Sequence, residues 1–397
     1  MENLIIFEGM LTGYRGKPSV IRIPEGVVEI DRYAIYGDDT LLEASVPDSI
    51  EDIDETNFKE CNNLKFNELG GAYYLGNEKN PYLVLVSADK SITECEVREG
   101  CKIIMGKSFD GCEALARAVI PSSVKRIGFM AFYGCENLRE LTFCEGVERV
   151  DGCAFYDCGF EKITLPDSLK RIERDAFCTV SLKEVTLPGR VGYIGCGAFT
   201  HNDIKFNEHG GGYYLGSKDN PYLCFMRPKN RGLGEISIHK DTKIIYSSAF
   251  MRCDSLVRAE LPEGLLQIGE DAFRECSALS AVRLPESLEI IEDCAFADCP
   301  ALSEVEFPGA VEIGSGAFMG CTALSELRLG SAVIGDNVFD SCEALERVVI
   351  GEGSNIYGDY IFSGCCSIRE AVLPKSAARY NPEEQFSDSE NVKIKYV

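Results

Sequence analysis

The chain has 397 residues, of which 45% are hydrophobic, and 64 acidic side chains outnumber 40 Lys and Arg residues to give a formal net charge of −24. Nucleic acids and anionic membrane surfaces both attract proteins rich in Lys and Arg, so this charge argues against either partner. The hydrophobic fraction is sufficient to bury a large core.

Residues 1–17 precede the repeated part of the chain. Their apolar run 4–7 and three following glycines predict a short hairpin that caps the first repeat, since an open apolar end would otherwise face water. The N-terminus lacks the basic region of a signal peptide, and no stretch approaches the roughly 18 apolar residues of a membrane span. We therefore expect a soluble, cytoplasmic protein without membrane insertion; a cell-surface location is the alternative if an export signal has been removed.

The rest of the chain is dominated by a short repeat whose landmark is an Ala-Phe pair. Its phenylalanine position recurs at intervals of 21 to 23 residues, with two intervals of 51 residues. A fixed period in this range predicts a solenoid, in which each unit buries its apolar face by stacking on its neighbours. The successive positions are Ile35, Phe58, Phe109, Phe132, Phe155, Phe177, Phe199, Phe250, Phe273, Phe296, Phe318, Phe339 and Phe362.

Each repeat contains two apolar patterns. The first is Leu-x-x-Val-x-Leu-Pro, as at 182–188, and its period of two predicts a short strand that the proline ends. The second is Ser-Leu-x-x-Ile-x-x-x-Ala-Phe, as at 168–177, which is too short for an ordinary helix and predicts a short strand or extended arc followed by a tight turn. We expect the small Ala to let each Phe ring pack between the rings of adjacent repeats.

The two 51-residue intervals resemble each other. Both contain a Gly-rich turn, a Tyr-Tyr-Leu-Gly run and an Asn-Pro-Tyr-Leu run, starting at Phe66 and at Phe206. Strand-like runs on either side of a turn predict a β-hairpin in each interval, bulging from the solenoid. From about residue 375 the period is lost, and segment 380–384 with the closing strand 392–397 predicts a C-terminal cap. The predicted domains are therefore an N-terminal cap hairpin (1–17), a leucine-rich repeat solenoid (18–374, with hairpin inserts at about 63–100 and 202–241) and a C-terminal cap (375–397).

Nineteen cysteines occur in the chain, and ten of them fall about three residues after the repeated Phe. Equivalent positions should form a buried row whose thiols donate weakly to backbone carbonyls. An odd total and long unpaired rows suit a reducing compartment. With no Cys-x-x-Cys and only three histidines, neither a zinc site nor another cofactor is expected. The ten are Cys61, Cys112, Cys135, Cys158, Cys253, Cys276, Cys299, Cys321, Cys342 and Cys365.

The combined pattern, Leu-x-x-Val-x-Leu-Pro-x-Ser-Leu-x-x-Ile-x-x-x-Ala-Phe-x-x-Cys, resembles the BspA-like class of leucine-rich repeat proteins over nearly all of 18–375. The resemblance implies a right-handed leucine-rich repeat horseshoe, mostly β with short turns and with a parallel sheet on its concave side. It also implies a largely bacterial family, many of whose members lie at the cell surface and some of which are reported as adhesins toward host matrix proteins.

Motifs of catalysis are missing from the sequence. It has no Gly-x-Ser-x-Gly, no His-Glu-x-x-His and no Gly-x-x-x-x-Gly-Lys-Ser/Thr. The glycine runs 70–71 and 210–212 are not followed by a helical pattern, so they indicate turns and not a phosphate site. His201 and His209 are interpreted as ordinary loop histidines. We therefore expect a protein that is not an enzyme.

The concave sheet face is the predicted binding surface, because solenoids bind there. The side chains that flank the central Val point outward, and in the second half they alternate between Arg and Glu. A protein or peptide with complementary charge could bind to these side chains. Alternatively, the Arg–Glu pairs could serve only to keep the sheet surface hydrated and to stabilise the pairing of its strands. The predicted partner-binding residues are Arg258, Glu260, Arg283, Glu304, Glu306, Glu326 and Arg328.

The tyrosines of the two long intervals are the competing candidates for recognition: Tyr73, Tyr74, Tyr82, Tyr213, Tyr214 and Tyr222. Strand alternation predicts that half of them pack inward. The sequence thus favours a monomeric, non-enzymatic interaction scaffold that binds a protein or peptide partner. The alternative is a cell-surface adhesin or carbohydrate-binding protein, for which these tyrosines would be the binding groups.

Overall fold

The structure is a computed structural model that describes residues 4–356, 358–380, 385–386, 388–389 and 392–397. The chain forms two compact units. The first comprises Met1–Val191 with Gly197–Lys205, and the second comprises Gly192–Cys196 with Phe206–Val397. Both units consist of coils that each contribute one short strand to each of two rows.

The strands of the first unit are two to five residues long. They are β1 (Leu4–Phe7), β2 (Met10–Tyr14), β3 (Val20–Arg22), β4 (Glu29–Ile30), β5 (Glu43–Ser45), β6 (Asp52–Ile53), β7 (Asn67–Leu69), β8 (Ala72–Leu75), β9 (Val84–Ala88), β10 (Glu94–Glu96), β11 (Ile103–Ile104), β12 (Arg117–Ile120), β13 (Arg126–Ile127), β14 (Glu140–Phe143), β15 (Arg149–Val150), β16 (Lys162–Thr164), β17 (Arg171–Ile172) and β18 (Glu184–Thr186).

The second unit continues the same scheme. Its strands are β19 (Tyr193–Ile194), β20 (Asn207–His209), β21 (Gly212–Leu215), β22 (Cys224–Pro228), β23 (Glu235–Ser237), β24 (Ile244–Ile245), β25 (Arg258–Glu260), β26 (Gln267–Ile268), β27 (Ala281–Arg283), β28 (Ile290–Ile291), β29 (Glu304–Glu306), β30 (Ala310–Ile313), β31 (Glu326–Leu329), β32 (Ser331–Ile334), β33 (Arg347–Ile350), β34 (Asn355–Ile356), β35 (Glu370–Leu373) and β36 (Lys393–Tyr396). A 3₁₀ helix spans Lys375–Tyr380.

Strands of successive coils pair in parallel, in register with the repeat. In one row the ladder runs through β11, β13, β15 and β17 in the first unit, and through β22, β24, β26, β28, β30, β32 and β34 in the second. In the other row β10, β12 and β14 pair, as do β23, β25, β27 and β29. The prediction of a mostly β leucine-rich repeat solenoid with parallel sheets is thus confirmed, whereas its handedness and horseshoe curvature stay predictions.

The long interval of the first unit is built from antiparallel strands. β7 pairs with β8, and β8 pairs with β9. β9 then pairs in parallel with β11, so this segment extends the ladder. Strands β20, β21 and β22 repeat the arrangement in the second unit, where β22 joins β24. The predicted hairpins that bulge from the solenoid are not confirmed, because the last strand of each interval belongs to the sheet.

The two ends of the chain carry further pairings. β1 and β2 are antiparallel, and β2 pairs in parallel with β4. At the other end β36 pairs in parallel with β35. Most of the predicted cap segment 380–384 lies outside the described residues.

The core of each unit is a stack of phenylalanine rings. In the second unit the centroids of Phe250 and Phe273 lie 4.8 Å apart and those of Phe273 and Phe296 4.9 Å apart, with rings within 11° of parallel. All three side chains are fully buried, and the preceding alanines are buried beside them. The expected packing of each ring between those of adjacent coils is confirmed, and it buries a large aromatic side chain in each coil.

The repeated cysteines form a second ladder beside the rings. Cys276 Sγ donates to the carbonyl of Phe250 at 3.1 Å, and Cys299 Sγ donates to that of Phe273 at 3.1 Å. Burial raises the pKa of the Cys299 thiol to about 12. All 19 cysteines fall among the described residues and are free thiols. The predicted row of buried thiols that donate to backbone carbonyls is confirmed at these positions.

Candidate binding surface

The predicted partner-binding residues lie on four strands of the second unit, β25, β27, β29 and β31, and we call them the charged strip. The strip comprises Arg258, Glu260, Arg283, Glu304, Glu306, Glu326 and Arg328. The period-two pattern places their side chains outward, because the residue between each pair packs inward. Ala259 and Val282, for example, are buried in the core.

Parallel pairing brings part of the strip into one ladder. Ala281 is the register partner of both Arg258 and Glu304, and Arg283 pairs with Glu306. Strand β31 belongs to a separate hydrogen-bonded sheet with β33, β35 and β36, although it contacts β29. Glu326 and Arg328 therefore lie in a different sheet from the other five residues.

Much of the charge of the strip is paired internally. Arg283 Nε lies 3.5 Å from Glu306 Oε2 on the next strand, and both side chains are 77% exposed. Arg258 and Glu260 approach to 3.6 Å within one strand. Arg328 and Glu326 approach to 2.6 Å within another. Such exposed pairs contribute little to stability, since water and salt screen them. They remain available to exchange partners when another charged surface approaches.

A groove of about 460 Å³ opens along β25, β27 and β29. Its charged lining residues are Glu235, Arg258, Glu260, Glu263, Arg283, Glu304 and Glu306. Val257, Leu261 and Pro285 supply apolar wall. Five of the seven residues of the charged strip thus line one groove, whereas Glu326 and Arg328 do not contribute to it.

Sequence reasoning missed two carboxylates of this groove. Glu235 starts β23 and is the register partner of Arg258, so it holds the same repeat position one coil earlier. It escaped notice because its strand falls within the range 202–241 that was predicted to be an insert. Glu263 follows the proline that ends β25 and lies in the turn. With both included, the groove presents five carboxylates and two guanidinium groups.

The competing tyrosines are engaged within the fold. Tyr74 and Tyr214 are fully buried, and the hydroxyl of each accepts a hydrogen bond of 3.3 Å, from the backbone N–H of Arg98 and of His239 respectively. The ring edges of Tyr82 and Tyr222 pack on them at 5.5 and 5.4 Å.

The remaining pair of tyrosines faces polar neighbours. The Tyr73 hydroxyl donates to Asp89 at 3.0 Å, and this bond raises the pKa of Tyr73. The guanidinium of Arg227 lies 4.4 Å from the centre of the Tyr213 ring. Of the six tyrosines, Tyr74 and Tyr214 are thus core residues and the other four are partly exposed, whereas strand alternation predicted that half would pack inward.

The histidines of the second interval are brought together. The rings of His209 and His239 lie 4.6 Å apart, and Tyr222 packs on both of them. No group of three or more His, Cys, Asp or Glu side chains that could hold a metal ion occurs among the described residues. Within the same residues, no helix is long and apolar enough to cross a membrane.

Stacked coils with a repeating Leu/Val strand, a Phe ladder and a Cys ladder define a leucine-rich repeat solenoid protein. The family model described as BspA type leucine rich repeat region, with 6 copies, matches residues 16–74, 102–209, 224–333 and 311–395. The chain therefore belongs to the BspA-type leucine-rich repeat family. No curated protein matches the sequence.

Several solved bacterial structures resemble the chain. A leucine-rich repeat protein of Bacteroides ovatus is 19% identical, with 84% of this chain and 97% of that chain covered and a TM-score of 0.26. The pneumococcal vaccine antigen PcpA is 20% identical, with 100% of this chain and 96% of that chain covered and a TM-score of 0.37. A leucine rich cell surface protein of Faecalibacterium prausnitzii is 19% identical, with 98% of this chain and 90% of that chain covered and a TM-score of 0.30.

Proposed function

We propose that the protein is a non-enzymatic scaffold whose charged strip and adjoining groove bind a protein or peptide partner rich in Lys and Arg. The observation that carries this proposal is the groove between β25 and β29, which five carboxylates and two guanidinium groups line. A basic segment would complete the ion pairing that the two arginines leave unfilled. Complementary charge of this kind raises the rate of association and excludes partners of the wrong sign.

The groove is also suited to an extended segment. Its floor is a parallel sheet in which outward side chains recur on each strand, at the spacing of adjacent strands of about 4.8 Å. Val257, Leu261 and Pro285 offer apolar contact beside the charges. A peptide that lies across the strands could therefore place aliphatic stems on these residues and cationic heads on the carboxylates.

The proposal is tested by charge changes of opposite sign. A peptide library displayed against the immobilised full chain should enrich Lys- and Arg-rich sequences. For an enriched peptide, Glu263→Lys with Glu304→Lys should slow association about tenfold at low salt, and Arg283→Glu should accelerate it. Both effects should shrink as ionic strength rises.

Glu140→Lys is the matched control. Glu140 occupies the repeat position of Glu304 on β14 of the first unit and is similarly exposed. Equal losses in the Glu140→Lys and Glu304→Lys single variants, which change the net charge by the same amount, would show that only overall charge matters and would refute a site at this groove. Enrichment of neutral or acidic peptides would refute the proposed partner class.

A further inference from the structure

A second concave site lies on the first coil of the first unit. A cavity of about 500 Å³ opens where the end of β2 meets the turn that follows β4. Its wall includes Tyr14, Lys17, Tyr33, Tyr36, Asp38 and Asp39, which we call the tyrosine pocket. All of them lie within the described residues and far along the chain from the charged strip.

Two of the rings of the tyrosine pocket are open to solvent. Tyr33 is 54% exposed and Tyr36 is 40% exposed. Their centroids lie 5.2 Å apart with the rings nearly perpendicular, at 84°. The repeated Phe rings, by contrast, are stacked and buried inside the coils. Exposed rings that face a cavity are therefore available to a ligand.

The backbone that carries the rings is held in place before any ligand arrives. The backbone N–H of Tyr33 donates to Thr56 Oγ1 on the next coil at 2.8 Å. The neighbouring Glu60 carboxylate raises the pKa of Tyr36. Fixing side chains in advance lowers the entropy lost on binding. The pocket is in this sense preformed.

The polar groups of the pocket are also oriented. Asp38 accepts hydrogen bonds from the Thr40 hydroxyl at 2.5 Å and from the Tyr14 hydroxyl at 2.7 Å, and these bonds lower the pKa of Asp38. Asp39 accepts from the Asn62 side chain at 2.9 Å. A carboxylate oxygen has more than one lone pair, so each aspartate can accept further hydrogen bonds from a ligand.

The charge around the pocket decides the class of ligand. The two aspartates are balanced by Lys17 in the wall and by Arg32, whose guanidinium lies 5.2 Å from the centre of the Tyr33 ring. The carboxylates of Asp38 and Asp39 would repel an anionic ligand, and the side chains of Lys17 and Arg32 would repel a cationic one. A neutral ligand that combines an apolar face with several hydroxyl groups fits all of these neighbours.

We propose that the tyrosine pocket binds a neutral sugar unit. A pyranose ring presents C–H groups on one face and hydroxyl groups around its rim. The face can lie on the exposed tyrosine rings, while the hydroxyls donate to Asp38 and Asp39 and accept from Lys17. This site does not depend on the charged strip, so each proposal can fail without the other.

The chain supplies a matched control at the same repeat position. Tyr360 corresponds to Tyr33 in the last coil, with φ of 56° and 58° respectively. Tyr360 is 64% exposed but has no ring contact with another described residue. Among the described residues, it therefore has an exposed ring like that of Tyr33 without an aromatic neighbour.

Saturation-transfer NMR on the full chain tests the proposal, with the methyl pyranosides of glucose, galactose, mannose and N-acetylglucosamine as probes. At least one of them should receive saturation, and Tyr33→Ala or Tyr36→Ala should weaken its binding about tenfold. Tyr36→Phe should retain most of the binding, and Tyr360→Ala should leave it unchanged. Far-UV circular dichroism of each variant checks that the fold is intact, and Tyr33→Leu replaces any alanine variant that fails to fold.

Several results would overturn the proposal. One is the absence of saturation for every neutral probe. Another is binding that persists in the Tyr33→Ala/Tyr36→Ala double variant or falls equally in Tyr360→Ala. A further one is stronger binding of charged sugars, such as glucosamine or galacturonate, than of their neutral counterparts.

Discussion

The long interval 66–98 of the first unit and the long interval 206–239 of the second unit fold around the same internal contacts. In each, the second tyrosine of the Tyr-Tyr pair is fully buried and accepts a hydrogen bond of 3.3 Å from a backbone N–H about 25 residues later. The tyrosine that follows the Asn-Pro turn packs edge-on against it. The two copies thus anchor the transition from antiparallel strands to the parallel ladder in the same way.

The turns are equally alike. The side-chain amide of Asn80 donates to the Gly100 carbonyl at 2.8 Å, and that of Asn220 donates to the Asp241 carbonyl at 2.7 Å. The backbone N–H of the next tyrosine donates to the same asparagine at 3.1 Å in both copies. These residues recur because each satisfies backbone groups that the change of direction leaves without a ladder partner.

The surroundings of the rings differ. Arg98 lies 5.8 Å from the centre of the Tyr82 ring in the first interval, whereas the His239 ring lies 4.2 Å from Tyr222 in the second. Asp89 accepts from Tyr73, but the corresponding ring of Tyr213 faces cations. Residues that set the backbone are therefore shared, and residues that set the local charge are not. The first interval has a permanent cation on its tyrosine, and the second has a titratable one.

The largest effect should come from the shared buried tyrosine. Tyr74→Ala and Tyr214→Ala should each lower the free energy of unfolding by about 3–5 kcal/mol, because each removes a fully buried aromatic side chain. Urea unfolding followed by circular dichroism measures both. The conservative variants Tyr74→Phe and Tyr214→Phe lose only the hydrogen bond and should cost about 0.5–1.5 kcal/mol. A large loss for one alanine variant and none for the other would break the equivalence of the two intervals.

A smaller effect is expected at the glycine that precedes each Asn-Pro turn. A Cβ at Gly76 would lie 2.0 Å from the Asn80 carbonyl oxygen, and one at Gly216 would lie 2.1 Å from that of Asn220. Because backbone atoms cannot move aside cheaply, Gly76→Ala and Gly216→Ala should each destabilise the chain by about 1–3 kcal/mol.

Gly189→Ala is the control for these two variants. A Cβ added at Gly189 would meet open space, and the φ of this glycine is not positive, so the melting temperature of the variant should match that of the wild type. If the variants at Gly76 and Gly216 also melt like the wild type, these glycines do not lie as close to the Asn80 and Asn220 carbonyl oxygens as the structure places them.

Periodicity explains why the core was predictable. Equivalent residues of adjacent coils must stack, so a Phe or Cys at one repeat position meets its counterpart from the next coil. The bond from Cys276 to the Phe250 carbonyl follows from this rule. The outward direction of Arg258 and Glu260 follows from strand alternation in the same way.

Contacts between residues that are not related by the repeat could not be predicted from the sequence. The side-chain amide of Gln267 donates to the Ile194 carbonyl at 3.0 Å and accepts from the Ile194 N–H at 2.9 Å, across 73 positions of the chain. No repeat spacing indicates that pair. The groove carboxylates Glu235 and Glu263 were missed for a related reason, since one lies within a long interval and the other lies in a turn. The tyrosine pocket was not predicted, because its coil has Ala34-Ile35 in place of the Ala-Phe pair that marks the repeat.

The smallest expected effect separates the two intervals by pH. Burial, and then the neighbouring His209, hold the pKa of His239 below its ordinary value of 6.5, while the Asp241 carboxylate 3.8 Å away opposes the shift and Lys240 adds to it. The unfolded chain therefore binds this proton more tightly than the folded chain. Stability from the neutral His239 is fully present above about pH 6.5 and is lost as the pH falls through the lower folded-state pKa.

The first interval should lack this behaviour, because Arg98 stays charged throughout the range. His239→Arg together with His209→Leu gives the second interval the residues of the first. The wild type should lose more stability than this double variant when urea unfolding is compared at about pH 8 and about pH 5, since only the wild type has the His239 ring, whose protonation the fold disfavours. His201→Leu, at an exposed histidine of the first unit, should leave the wild-type pH dependence unchanged. An equal loss of stability in the wild type and the double variant would show that His239 is not the group that titrates, and the two intervals would then differ in charge without differing in their response to acid.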